Sequence, residues 1–237
     1  MGIGEKKIIA IIPARGGSKS IPRKNLVSFD GKPLVAHSII IAQSSMLIDR
    51  VIVSTEDEEI ANISKRFGAE VRHRPFNLAG DSVLDLPVFE DVLEQLDLEG
   101  YEPELIVHLR PTSPYRKLSW IDEAIQKLIK NKKADSVRSV SEPSQHPYRI
   151  FKINSVGYLD PIMSHEHPEP YVLRRQDCPK LFHYNCVIDV TRVKTIYDKK
   201  SMTGEYILPY VMDPDEVIDI DSPRDLLIAK SLFEGKK

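Results

Sequence analysis

The chain has 237 residues, 41% of them hydrophobic and 29% charged, with a formal net charge of −2. That composition excludes a disordered chain and suits one α/β domain with a sizeable core. The balanced charge excludes non-specific nucleic-acid binding. No apolar run approaches the ~20 residues of a membrane span, and residues 1–7 lack the apolar core of a signal peptide. The expected location is therefore cytoplasmic, with no membrane partner. Cys178 and Cys186, the only cysteines, lack CxxC spacing, give no zinc site and are expected as free thiols.

In chain order, the first and strongest signal is residues 8–26, IIAIIPARGGSKSIPRKNL. Five apolar or small residues run into a proline, paired glycines and four cations, Arg15, Lys19, Arg23 and Lys24. The pattern predicts a buried strand that empties into a phosphate-binding loop. Gly16 and Gly17 are expected to turn with positive φ, so that consecutive N–H groups point at one anion. Ser18 adds a hydroxyl, and the cations supply the charge that a nucleoside triphosphate needs. A plain Gly-Gly turn with solvated basic residues is the default for GGS alone; four cations at the end of an apolar strand make it the lesser reading, with Arg23 the one most open to simple solvation. Neither GxxxxGKS/T nor GxGxxG occurs, so a P-loop ATPase and a dinucleotide dehydrogenase lose their main support.

A helix is expected in KPLVAHSIIIAQSS, then a strand at RVIVST (50–55) and an acid-rich helix from about Glu56 to Phe67 that Gly68 stops. AEVRHRP reads as a short strand, and LPVFEDVLEQL as a helix with Leu86, Val88, Phe89, Val92, Leu93 and Leu96 on one side. LIVHL (105–109) is the next strand, residues 119–131 an amphipathic helix, and ADSVRSVS a strand of period two. The alternation predicts a predominantly parallel, helix-covered Rossmann-like sheet with ligands at the carboxyl ends of its strands.

From about 142 to 181 the composition shifts, with Pro143, Pro147, Pro161, Pro168, Pro170 and Pro179 interrupting short apolar runs. This segment is expected to be an insertion within a single 237-residue domain, packing against another subunit; a floppy loop is the alternative. His165 and His167, in SHEHPEP, read as a solvated Pro-rich loop before a metal site. LFHYNCVIDV, YILPYVM and VIDID follow as strands, and Ser222 caps a closing helix. On a strand, Asp219 and Asp221 would face one side and Ile218 and Ile220 the other. Two hard oxygen ligands so presented suit Mg²⁺ beside a nucleotide. Capping of the last helix is the competing role for Asp221, but not for Asp219.

PARGGSKSIPRKN resembles the signature of the CMP-sialic acid synthetases (acylneuraminate cytidylyltransferases), which usually read ARGGSKGIPxKN; Ser20 replaces the second glycine. Further matches follow in order: VIVSTEDEEIA (51–61), RPxxLAxD (74–81), LRPTSPYR (109–116), RRQD (174–177), Asn185 and VIDIDSPRDL (217–226). The resemblance implies a homodimeric, Mg²⁺-dependent enzyme of the nucleotidyltransferase sheet class. It would transfer CMP from CTP to the anomeric 2-hydroxyl of a nine-carbon 2-keto sugar acid in cell-surface glycan synthesis.

By matching positions, Lys24 would touch the α-phosphate, and Arg15, Ser18 and Lys19, with the Gly16 and Gly17 backbone, the β- and γ-phosphates. Asn25 would contact the nucleotide, and Arg74 and Asp85 lie where the cytosine is read; Asp85 stands in for a common serine. Arg110, in the place of a common glutamine, with Thr112 and Ser113, would face the sugar. So would Arg174 or Arg175, as a clamp for its carboxylate, together with His183 and Asn185. His183 stands for a common arginine and Cys186 for a glycine. Asp219 and Asp221 would hold the metal, with Asp221 also a candidate general base beside Lys24 and Arg15 in catalysis. Relatives acting on legionaminic, pseudaminic or deaminated acids stay open. The alternatives are another sugar acid such as Kdo, whose enzymes usually carry ARYxSxRLPGKP instead, and a catalytically weak nucleotide-binding protein.

Overall fold

The protein is described by a computed structural model covering residues 7–163 and 167–234. Its first half runs β1 (Ile8–Pro13), β2 (Ser28–Phe29), β3 (Lys32–Pro33), α1 (Leu34–Gln43), β4 (Arg50–Thr55), α2 (Glu58–Arg66), β5 (Glu70–His73), α3 (Asp85–Asp97) and β6 (Leu105–His108). Then come α4 (Leu118–Lys130), β7 (Ser136–Ser141), β8 (Phe151–Ile153), β9 (Leu159–Pro161), β10 (His183–Arg192), α5 (Val193–Lys199), β11 (Ile207–Val211) and α6 (Pro223–Glu234).

Residues 8–12 are apolar throughout because β1 is covered on both faces. Ile8, Ala10 and Ile12 point into a cluster with residues of α1, α2 and α4, whereas Ile9 and Ile11 meet Phe89, Leu93 and Leu96 of α3 and Ile196 of α5. The sheet has seven strands in the order β11-β7-β10-β6-β1-β4-β5. β1 pairs in parallel with β4 and β6, β4 with β5, and β7 with β11. β10 runs antiparallel between β6 and β7. The predominantly parallel, helix-covered sheet is as the alternation implies, with β10 the one reversed strand. Asp57 caps α2 by accepting from the Glu59 and Ile60 N–H groups, and Gly68 ends it at φ 84°.

Two sequence expectations fail here. VIDID forms no strand: after β11 a 3-10 turn at Pro214–Glu216 takes the chain off the sheet edge. Ile218 and Ile220 instead bury in a third cluster with Ile21, Phe29, Leu34 and Ala229, and the Ile220 N–H donates to Thr112 O at 2.8 Å. Gly16 and Gly17 do not have positive φ; in this stretch it is Arg23 that takes the left-handed conformation, at φ 55°.

Residues 142–181 carry 3-10 turns and an antiparallel hairpin, β8–β9, that forms a separate two-stranded sheet. His165 lies outside the described residues; His167 Nδ1 accepts from the Glu169 N–H at 3.1 Å. Among the described residues no helix is long and apolar enough to cross a membrane. Ile11 is fully buried in the strand that leads to the Gly16–Gly17 loop, so Ile11→Ala should cost about 2–5 kcal/mol of stability in urea titration.

Candidate active site

Parallel strands deliver their carboxyl ends to one edge, and the polar signals of the sequence follow those ends. β1 leads to Arg15, β4 to Glu56 and Asp57, β5 to Arg74, and β6 to Arg110. Between them lies a cleft of about 490 Å³ lined by, among others, Arg15, Gly17, Ser18, Lys19, Lys24, Asn25, Arg74, Asp81, Asp85, Arg110, Thr112 and Asp221. Its size lies within the range of small-molecule sites.

The loop is built from side chains rather than from glycine torsions. Gly16 is needed because a Cβ there would lie 2.5 Å from Asp57 Oδ2, while one on Gly17 would meet nothing within 4 Å. The Gly16 N–H donates to Glu56 Oε1 at 2.7 Å, and Asn25 Nδ2 donates to Arg15 O at 2.8 Å. Arg23, though exposed, is ion-paired: it binds Asp57, whose carboxyl it holds below the usual range, and Glu59 at 2.7 Å. Its charge therefore fixes the loop to the start of α2.

The remaining cations are also matched. Asp81 takes Arg15 Nη2 at 2.8 Å and Lys19 Nζ at 2.6 Å. Lys24 Nζ donates to Ile220 O at 3.0 Å and to Asp221 Oδ1 at 2.9 Å. Arg74 is buried, donates to Ser54 Oγ at 3.1 Å and Ser54 O at 2.8 Å, and has its pKa lowered by that burial. Asp219 is held above the usual carboxylate range, chiefly by burial, with a hydrogen bond from Thr112 acting the other way. Its Oδ1 is buried without a hydrogen-bond partner. Asp221 does not cap the last helix. Ser222 does, its Oγ accepting the Asp225 N–H at 3.3 Å while Asp225 Oδ2 accepts the Ser222 N–H at 2.7 Å.

At the other end of the cleft, Arg110 gives Nη2 to Asp85 Oδ2 at 2.7 Å and Nη1 to Asp189 Oδ2 at 3.0 Å and Tyr184 Oη at 2.6 Å. Burial alone would lower the Arg110 pKa; Tyr184, Asp189 and Asp85 reverse that and raise it. Tyr184, its pKa pushed up mainly by burial and by Asp189, stays protonated and donates to Asp189. A bulge between Tyr184 and Asp189 puts these residues of β10 on one guanidinium and leaves Cys186 at φ 62°. His108 lies 3.8 Å from Asp189. Burial, with Arg110, Arg116 and Arg138 nearby, drives its pKa well down, so it is a neutral imidazole and no salt bridge.

The structure does not bring every sequence candidate together. Ser113 is wholly buried, and Asn185 is buried with its Nδ2 unpartnered. Arg174, Arg175 and His183 do not line the cleft. Arg174 pairs with Asp177 at 2.7 Å, and Arg175 lines a separate hollow with Glu142 and His146. Asp85 points its carboxylate at Arg110. Cys178 and Cys186 are free thiols. Sequence reasoning missed Asp189, Tyr184 and Arg116. Arg116 is buried and donates to Val187 O at 2.7 Å and Arg110 O at 2.7 Å. Burial, with Arg110 nearby, brings its pKa down to about 9, which still leaves it charged at neutral pH. The available signal was Asp189 itself, an acid inside the apolar run CVIDV, which must meet a cation when buried.

The pattern of the cytidylyltransferase family matches residues 9–207, and the chain belongs to that family. Over 96% of its length it is 31% identical to a pseudaminic acid cytidylyltransferase of Campylobacter jejuni, covering 97% of that protein. It is 33% identical, with the same two coverages, to a CMP-N,N'-diacetyllegionaminic acid synthase of Legionella pneumophila. An N-acylneuraminate cytidylyltransferase of Escherichia coli is 32% identical over 97% of this chain, which spans 53% of that longer protein. Among solved structures, a CMP:2-keto-3-deoxy-manno-octonic acid synthetase complexed with CTP superposes with a TM-score of 0.70 over 98% of this chain and 100% of that one. At 18% identity, it speaks for the fold alone.

Because neither loop glycine needs positive φ, their alanine variants separate space from torsion. Gly17→Ala should stay within about 0.5 kcal/mol of the parent in urea titration. Gly16→Ala displaces the Asp57 cap and should cost about 1–2 kcal/mol.

Proposed function

We propose that the protein transfers CMP from CTP to the anomeric 2-hydroxyl of a nonulosonic acid, a nine-carbon 2-keto sugar acid, and releases pyrophosphate. One observation carries the reading. Lys24 of the phosphate loop and Asp221 of the C-terminal DID meet at 2.9 Å across the cleft, so a phosphate-holding face stands opposite a carboxylate face. Similarity along almost the whole length of enzymes named for pseudaminic and diacetyllegionaminic acids, and along about half of one named for N-acylneuraminic acid, supports the acceptor class.

In this reading Arg15 and Lys19 hold the β- and γ-phosphates and Lys24 the α-phosphate. The sugar hydroxyl oxygen bonds to Pα, its proton passes to Asp221, and the bond from Pα to the bridging oxygen breaks with its electron pair leaving on pyrophosphate. Charge grows on the transferred and departing groups, so fixed cations supply most of the acceleration. Ser18 and Asn25 complete the nucleotide side, with Arg74 beside the base.

The described residues contain no group of three or more His, Cys, Asp or Glu side chains able to hold a metal ion. Mg²⁺ does not need one, since it takes one or two carboxylates and completes its shell with water and phosphate. The orphaned Asp219 Oδ1 and the cleft-facing Asp221 fit such an ion. Bound there, it would neutralise phosphoryl charge.

The acceptor would lie toward Arg110 and Thr112, which line the cleft. Arg174, Arg175 and His183 do not line the cleft of their own chain, and the reading adds a homodimer in which the 142–181 segment reaches the partner. Its support is the exposed apolar surface of that segment, with Ile153, Val156 and Tyr158 each more than 70% accessible. An enzyme that draws on CTP is placed in the cytoplasm.

The first test is pyrophosphate release, with product mass, from CTP and Mg²⁺ against N-acetylneuraminic, deaminated, legionaminic, pseudaminic and Kdo acids. A CMP-nonulosonate is expected from at least one of the first four, and silence on all four overturns the reading. Asp221→Ala should abolish turnover with the fold intact by circular dichroism; activity within about tenfold of the parent, about 1.4 kcal/mol in barrier, rejects the Asp221 role. Tyr158→Asp should give a monomer by light scattering that still binds CTP; a dimer of unchanged mass argues against the arm.

A further inference from the structure

Two of the cations assigned to the triphosphate already hold an anion. Asp81 Oδ1 lies 2.8 Å from Arg15 Nη2 and its Oδ2 lies 2.6 Å from Lys19 Nζ, one oxygen to each cation. A carboxylate presents two oxygens to two donors much as a terminal phosphate does. Asp81 lines the same cleft as both cations, and the Lys19 contact holds its carboxyl below the usual range, ionised at neutral pH.

The segment that carries it is placed to yield. Asp81 follows a 3-10 turn at Phe76–Leu78 and precedes α3. The backbone hydrogen bonds described around it, Ala79 N–H to Phe76 O at 3.0 Å and Val83 N–H to Gly80 O at 3.2 Å, are local. Phe76 and Leu84 on either side are exposed. The other loop carboxylates are differently engaged: Asp57 caps α2 and binds Arg23, and Glu56 accepts the Gly16 N–H. Of these acids only Asp81 sits on the cations that the phosphates require.

We propose that Asp81 is a positioning residue, an internal stand-in for phosphate that pre-aligns Arg15 and Lys19, gives way to the β- and γ-phosphates of CTP, and competes to return as pyrophosphate leaves. The inference rests on the reading of the cleft as the CTP site. Its cost is affinity, because the cations are open to ligand only for the fraction of time that Asp81 is away. Its benefit is product release, because the departing anion is replaced by one already tethered.

The test is calorimetric binding of CTP and of inorganic pyrophosphate, with Mg²⁺, to the full chain, its Asp81→Asn variant and its Asp81→Glu variant. Asp81→Asn should bind pyrophosphate about tenfold tighter, equal to about 1.4 kcal/mol, and its binding should fall more steeply with salt. In the parent the ligand displaces a fixed carboxylate; in the variant it displaces mobile counterions, whose release depends on salt. In turnover the variant should lower the KM for CTP and kcat together and sharpen inhibition by pyrophosphate, while Asp81→Glu stays close to the parent. Parent-like or weaker pyrophosphate binding by Asp81→Asn, with the parent binding CTP normally, overturns the inference and leaves the function standing. A parent that binds neither CTP nor pyrophosphate overturns both.

Discussion

The contact between Lys24 and Asp221 joins residues 197 positions apart and closes the cleft. The loop after β1 and the tail before α6 are also joined by the buried cluster that holds Ile21 with Ile218 and Ile220, and the ion pair adds a polar contact at the rim of that packing. In that pair the loop cation and the acid that faces it are in direct contact. Ile220 is what makes the contact reproducible: its side chain is buried in a small core with Phe29 and Leu34, its N–H is held by Thr112, and its carbonyl accepts from Lys24. Packing of one apolar residue thus sets the position of the charged residues on either side of it.

A cleft lined by several cations has to be stable in its own right. Isolated buried charges are costly, and like charges brought together are costlier still. Here Arg23 is held by Asp57 and Glu59 at the start of α2 and Arg110 by Asp189, Tyr184 and Asp85, while Arg15, Lys19 and Lys24 hold Asp81 and Asp221 at the cleft surface. The deepest of these pairs, Arg110 with Asp189, belongs to the frame, whereas Asp81 and Asp221 are carboxylates open to the cleft. The pairs at the surface contribute little to stability because water screens them, which is why they are available for exchange.

The alternation of apolar runs with amphipathic helices was enough to read the sheet, because its central parallel strands β1, β4 and β6 are buried almost throughout and read as near-continuous apolar runs. RVIVST matches β4 residue for residue. The reversed direction of β10 was illegible, since LFHYNCVIDV looks the same whether it runs up or down a sheet. VIDID was misread because alternating burial does not require a strand; Ile218 and Ile220 alternate against a local core instead. In the loop, the cation positions were legible but the role of Gly16 was not, for the crowding comes from Asp57, 41 residues later. Pairings such as Arg15 with Asp81 or Arg110 with Asp189 depend on which loops share an edge, and a single sequence does not record that.

Ser141 and His183 are paired across β7 and β10, so the segment between them leaves and re-enters the sheet through one point. The rest of the molecule experiences that segment as a single closed loop. Lengthening or replacing it shifts no strand register and adds only a slowly growing closure entropy. The end of the cleft built on β1, β4 and β5 is insulated from such changes. A lineage can therefore exchange this arm, and with it whatever the arm touches, while keeping the cleft at the carboxyl ends of β1, β4 and β5 unaltered.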